Sequence, residues 1–282
     1  MKNINKRKLS LIIISIIFIL IFAIIVLYKK DNLPFLVFLN REKIKKVEKV
    51  DIIYLNRLNL GNITITGISY DEDNESFWLA DYDSNISDNV ITPRIIETDK
   101  EIKKVKNIIE IKGSNYNIQG ISYSKNTKTL WIATGRSIIN MTKDGKIIKE
   151  IEFDQNKCIS NGIYYNDIND SISVLCYEKY LLNLDVYGKI LNESKMDIKN
   201  QDHLTIKNFN TYISAGANYN GKNYIIVFDE ENKIKKIYEL KESYAIEGIV
   251  FKENKLYVAN DGLYHSAKIE DNYIVIYDLD EE

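Results

Sequence analysis

The chain of 282 residues holds 38 Lys and Arg against 40 Asp and Glu. Six of the basic residues and none of the acids fall in residues 1–30, which leaves 32 basic against 40 acidic groups beyond them, a balance of −8. Nucleic-acid binders usually carry a basic footprint, so this balance argues against nucleic acid as a partner and suits a cation, a polar solute or another protein; 45% hydrophobic residues with 20 Tyr and 2 Pro describe an ordinary folded chain rich in strand formers.

Residues 1–8 carry Lys2, Lys6, Arg7 and Lys8, and Leu9 to Tyr28 form an almost unbroken apolar run. Its 20 residues would cover about 30 Å as a helix, the thickness of a hydrocarbon core. The run ends FAIIVLYKK, without a small-residue cleavage site, which favours a retained anchor over a cleaved signal peptide. The basic N-terminus favours a cytoplasmic start, although Lys29, Lys30, Arg41, Lys43, Lys45 and Lys46 on the other side weaken the contrast. The expectation is therefore a single-pass cell-membrane protein. Residues 1–8 lie in the cytoplasm, 9–28 cross the membrane, 29–49 form a juxtamembrane linker, and 50–282 form one domain outside the cytoplasm. Within the linker, Pro34 to Leu39 could meet the membrane surface or pack on the domain.

The domain repeats, and repeats govern the fold reading. Five segments share an opening: TGISY (66–70), QGISY (119–123), NGIYY (161–165), DHLTI (202–206) and EGIVF (247–251). Their second residues are spaced 53, 42, 41 and 45 apart. Each opening is followed by a polar turn and a second apolar strand: FWLA (77–80), LWIA (130–133), ISVLC (172–176), YISA (212–215) and LYVA (256–259). Third and fourth strands are joined by turns reading KDGKI (143–147), YGKI (187–190) and ENKI (231–234); Gly or Asn there supplies the positive φ of a tight hairpin. Four short antiparallel strands per unit make one blade of an all-β propeller. The fifth unit lacks a fourth strand, and Val50 to Leu55 stand before the first as an orphan. The orphan would complete the last blade and close the ring. The count is five blades, with six the alternative because of the wide first interval.

In a propeller the first strand of each blade lines the channel, so Thr66, Gln119, Asn161, Asp202 and Glu247 should gather at one mouth. The loops after the second strands would add Asp81, Tyr82, Asp83, Arg136, Glu178, Asn218, Asn260, Asp261 and His265. Carboxylate and amide oxygens in a ring suit Ca²⁺ or another divalent cation; a hydrated polar channel is the other reading. His203 stands where the other units have Gly, as a packing substitution or as a base beside Asp202. Trp78 and Trp131 occupy matching second-strand places and read as core between blades. Cys158 and Cys176 form no CxxC pair; a disulfide and two buried thiols both fit.

The openings GISY and EGIVF with LWIA and LYVA resemble the gluconolactonase-like, NHL and SdiA-regulated propellers over roughly residues 50–280. The resemblance implies a divalent metal in the channel, held by a Glu, Asn residues and an Asp. Glu247, Asn161 and Asp202 match by residue type, and Gln119 stands where an Asn is expected. The matching Glu lies in the last unit, one blade fewer is counted, and the Gly after Asp202 is missing.

Two functions follow as expectations. The first is a binding or interaction module at the cell surface, with a small polar ligand or protein partner. Its binding residues would be Thr66, Gln119, Asp81, Asn218, Asn260 and Asp261. The alternative is a metal-dependent hydrolase of a lactone or other ester, with Asp202 or His203 as the base.

Overall fold

In a computed structural model the described residues are 6–30, 33–82, 93–111, 117–196, 198–216, 222–261 and 272–279. The chain enters through helix α1 (Lys6–Lys30) and the short α2 (Leu33–Leu39). Side chains from Ile12 to Val26 are exposed along α1. Among the described residues no helix is long and apolar enough to cross a membrane.

Two strands follow, β1 (Ile44–Val47) and β2 (Lys49–Tyr54), and then the repeats. Blade one is β3 (Ile65–Asp71), β4 (Ser76–Asp81), β5 (Arg94–Asp99) and β6 (Val105–Glu110). Blade two is β7 (Gly120–Ser124), β8 (Thr129–Ala133), β9 (Ser137–Thr142) and β10 (Ile147–Glu152). Blade three is β11 (Ser160–Asn166), β12 (Ser171–Cys176), β13 (Tyr180–Asp185) and β14 (Ile190–Lys195). Blade four is β15 (Gln201–Lys207), β16 (Asn210–Ala215), β17 (Asn223–Phe228) and β18 (Ile234–Leu240). Blade five has only β19 (Ile246–Lys252), β20 (Lys255–Asp261) and β21 (Asn272–Asp278) from its own repeat. Its fourth strand is β2, antiparallel to β21, with Ile52 opposite Val275 and Ile53 opposite Ile274. The orphan strand therefore closes the circle, and the sheets number five. The wide first interval is taken up between Asp81 and Arg94 and between Glu110 and Gly120.

The first strands touch in a ring, β3 to β7 to β11 to β15 to β19 and back to β3. Missing side chains make that approach possible. A Cβ on Gly248 would stand 2.6 Å from Ile68 N, and one on Gly120 would stand 2.7 Å from Asn161 O. Each opening places an Ile or Leu after this position: Ile68, Ile121, Ile163, Leu204 and Ile249. Each of these five falls in a different apolar cluster, packed with residues of a neighbouring blade. Trp78 packs with Ile121 and Tyr123 of blade two, and Trp131 with Ile163 and Tyr165 of blade three. Both tryptophans are core between blades.

Part of the expected linker is built into the domain. β1 runs parallel to β18 as a fifth strand on blade four, with Ile44 opposite Ile237 and Val47 opposite Leu240. Leu33 and Val37 of α2 are buried against Leu175, Leu181 and Met196, while Phe35, Phe38 and Leu39 are exposed. The helix is thus pinned by one apolar face and shows the other.

Candidate functional site

The pre-glycine residues start the first strands. Because those strands touch around one ring, their starts share one end of the channel. Thr66 is buried and donates its hydroxyl to Ile118 O at 2.8 Å, so it ties blade one to the segment entering blade two. Gln119 donates its side-chain amide to Asn117 Oδ1. Neither serves a shared centre.

The other three are brought together. Asn161 Nδ2 donates to Gln201 O at 3.1 Å and to Asp202 Oδ1 at 3.3 Å. Asp202 Oδ2 is buried and has no hydrogen-bond partner among the described residues. Burial pushes the Asp202 carboxyl up to about 7, with the nearby Glu178 charge adding to the rise and the Asn161 hydrogen bond opposing it. Glu247 is buried, and burial followed by the charges of Asp202 and Asp261 holds its carboxyl well above the ordinary range. Carboxylates that share a dry site in this way resist ionising together. The mouth is acidic but under-ionised, and a ligand bringing positive charge or hydrogen-bond donors would relieve it.

The second-strand residues divide. Asp261 is buried beside this group and acts on Glu247. Asn260 accepts Tyr244 N–H at 2.8 Å and donates to Val258 O at 2.9 Å, which fixes the strand end. Asp81 is fully buried, accepts Thr64 N–H at 2.7 Å, and faces Arg94 Nη2 at 2.6 Å; its charge is met within blade one. Asn218, Asp83 and His265 lie outside the described residues. Among the described residues no three His, Cys, Asp or Glu side chains form a group able to hold a metal.

His203 is not hydrogen-bonded to Asp202. Neither imidazole nitrogen has a hydrogen-bond partner among the described residues, and the strand register is interrupted there, between Gln201 and Leu204. The ring instead crosses from blade four to blade two, where a Cβ on Gly120 would lie 3.1 Å from His203 Nε2. It fills the space that Gly120 leaves on the axis, and burial pushes its pKa down to about 4. His203 also lines a cavity of about 330 Å³. That cavity is bounded by the second halves of all five first strands, at the opposite end of the channel from the acids. The sequence motifs do not single it out. The available signal was the Ser of GISY in two units and the Thr of DHLTI in a third, hydroxyls at one register in strands otherwise apolar.

Cys158 and Cys176 form a disulfide, Cα–Cα 4.9 Å, with a sequence separation of 18. It joins the approach to β11 to the end of β12 and so braces the strand that presents Asn161.

No protein-family model matches the chain, and no curated protein matches it. Among solved structures it is similar to glutaminyl cyclase of Myxococcus xanthus, with a TM-score of 0.59, 8% identity, and coverage of 84% of this chain and 100% of that one. This is a five-bladed β-propeller. The propeller is also similar to virginiamycin B lyase from Staphylococcus aureus, at TM-score 0.46 and 16% identity over 76% of this chain and 66% of that one. A third similar structure is the β-propeller domain of Cps50 from Myceliophteria thermophila, at TM-score 0.46 and 11% identity over 82% and 99%. The resemblance of this propeller to the wider superfamily holds at the level of fold, and fold does not carry activity.

Proposed function

We propose that the chain is a binding module displayed outside the cytoplasm, anchored by its N-terminal apolar helix, whose acidic channel mouth takes a small polar ligand of cationic or hydrogen-bond-donating character. One observation carries the site. Asp202 Oδ2 is buried without a partner next to Asn161 and under the field of Glu247 and Glu178. Leaving such a group unpaired costs on the order of 1–3 kcal/mol, and an incoming donor recovers that cost. The location is supported by the Cys158–Cys176 disulfide, since such bonds persist in oxidising compartments and are rare in the cytosol. The anchor is supported by the apolar run itself and by the exposure of Ile12 to Val26.

The test is a set of melting curves on the full chain in detergent with Ca²⁺, Mn²⁺, Zn²⁺ or spermidine. A ligand that binds only the native state raises the melting temperature. At least one probe should do so in the wild type and fail to do so in Asp202→Asn and Glu247→Gln. A flat response to all four probes, or a rise that both substitutions leave intact, removes the acidic mouth as the site.

A further inference from the structure

The cavity at the other end of the channel has different chemistry. At its floor stands the His203 imidazole, 1% exposed and with both nitrogens unpartnered among the described residues. The same cavity is lined by Ser69, Ser122 and Thr205, and by Tyr164, whose phenol feels the charges of Asp167 and Glu72. Ser69 Oγ accepts Tyr123 N–H at 2.8 Å, and Ser122 Oγ accepts Tyr165 N–H at 2.9 Å. These bonds stitch β3 to β7 and β7 to β11, and they use the oxygen as acceptor. Each hydroxyl keeps its hydrogen to donate into the cavity. The inner polar set therefore both donates and accepts, and it carries no carboxylate, ammonium or guanidinium.

Charge is confined to the rim, where much of it is already engaged. Lys125 meets Glu72 at 2.8 Å, and Asp167 accepts Asn126 N–H at 2.8 Å and Lys125 N–H at 3.2 Å. Lys207 Nζ donates to Glu253 O at 3.0 Å and Asn254 Oδ1 at 3.1 Å. An ion passing these rim charges to the cavity floor would shed water without gaining an adjacent counter-charge, and that cost selects against it there. The remaining wall is apolar, from Ile206, Val250 and Phe251. A volume of about 330 Å³ is at the small end of the range for small-molecule sites, roughly 300–1,000 Å³.

We propose that this cavity is a second binding site, for a neutral, hydroxyl-bearing ring of monosaccharide size. Such a ring offers hydroxyls around its edge to Ser69, Ser122, Thr205 and His203, and a C–H face to the apolar wall. The two ends of the propeller then recognise opposite kinds of solute, with His203 standing between them on the axis.

Saturation-transfer NMR on the full chain, in a detergent without sugar headgroups, tests the site. The probes are glucose and N-acetylglucosamine, with glucuronate and glucosamine as charged counterparts. At least one neutral sugar should receive saturation, and both charged sugars should bind at least tenfold more weakly. Ser122→Ala should weaken the neutral sugar at least fivefold. Because that change also removes an acceptor for Tyr165 N–H, Ile206→Trp provides a second variant that fills the cavity from its wall. It should abolish the signal while a cooperative melt shows the fold intact. No transfer to either neutral sugar, equal binding of the charged sugars, or a signal surviving in folded Ile206→Trp overturns the proposal.

Discussion

Burial keeps the His203 imidazole neutral, with its pKa lowered to about 4, and the same burial keeps the adjacent Asp202 protonated up to about 7. The two act on stability in opposite senses. For His203 the folded value lies below the unfolded one of 6.5, so the unfolded chain takes the proton first as pH falls. Its contribution is complete above 6.5 and is lost between 6.5 and 4. For Asp202 the folded value lies above the unfolded one of 3.8. Its contribution is complete below 3.8 and is lost as pH rises through 7, and Glu247 changes in the same direction. In the window from 4 to 6.5 the His203 loss on acidification offsets only one of the two carboxyl gains, so wild-type stability should still rise as pH falls there. Asp202→Asn removes one arm. It should raise stability at pH 8 by on the order of 4 kcal/mol, at about 1.4 kcal/mol per pKa unit over the rise from 3.8 to about 7, and change it little at pH 4. Urea denaturation at pH 4, 6 and 8 measures this, and a variant no more stable than wild type at pH 8 contradicts the protonation assigned to Asp202. His203→Gln, which cannot titrate, should gain stability more steeply than the wild type as pH falls from 6.5 to 4.

At the scale of single elements, blade three is the one stapled covalently. Its disulfide closes a loop of 18 residues, for which chain-entropy reasoning gives a stabilisation of about 3 kcal/mol. Replacing Cys158 and Cys176 with Ala should lower the unfolding free energy by about that amount. It should also loosen β11, so that amide exchange of Asn161 and Gly162 rises more than that of Gly120 and Ile121 in unstapled blade two. Uniform exchange across the two blades would mean that the bond acts only on the unfolded chain. The elements themselves were largely legible in the sequence. A small residue that lets strands approach, followed by an Ile or Leu that packs between blades, leaves a mark at every opening, and turns such as KDGKI carry their positive φ at Gly145. Other features left no such mark. Cysteine spacing alone does not fix whether two sulfurs meet. Leu33 and Val37 are apolar residues in an apolar neighbourhood, so their docking between blades three and four could not be told from membrane contact. Ser69 and Ser122 read as ordinary strand residues until five strands were set around one axis. The acidic mouth was half legible: Asn161, Asp202, Glu247 and Asp261 do gather, whereas Thr66 and Asp81 are used for local ties that only the neighbouring backbone reveals.

For the molecule as a whole, the decisive bond pattern joins residues far apart in the chain. β2 supplies the outer strand of blade five, and its pairing of Ile53 with Ile274 holds the last blade's exposed side. Without it, β21 would present an unpaired edge, and such edges template association between chains. β1 and α2 occupy a different place: β1 adds a strand to blade four and α2 packs on the cluster between blades three and four, without taking part in closure. Two truncations separate these roles. A chain of residues 48–282 keeps the closing strand, loses the buried contacts of Leu33, Val37 and Val47, and should remain monomeric with a single cooperative melt at reduced temperature. Each lost apolar side chain costs about 1.5–3 kcal/mol if fully buried, so the drop should be clear. A chain of residues 56–282 loses β2 as well, exposes Ile274 and Ile276, and should associate instead of melting as a monomer. Light scattering with circular dichroism on both chains decides the matter. If the shorter one stays monomeric and melts like the longer, the ring is held by its inner strands alone and the closing strand is dispensable. The first strands contact one another directly around the ring, so the comparison weighs the inner contacts, where glycines let backbones touch, against a single outer ladder.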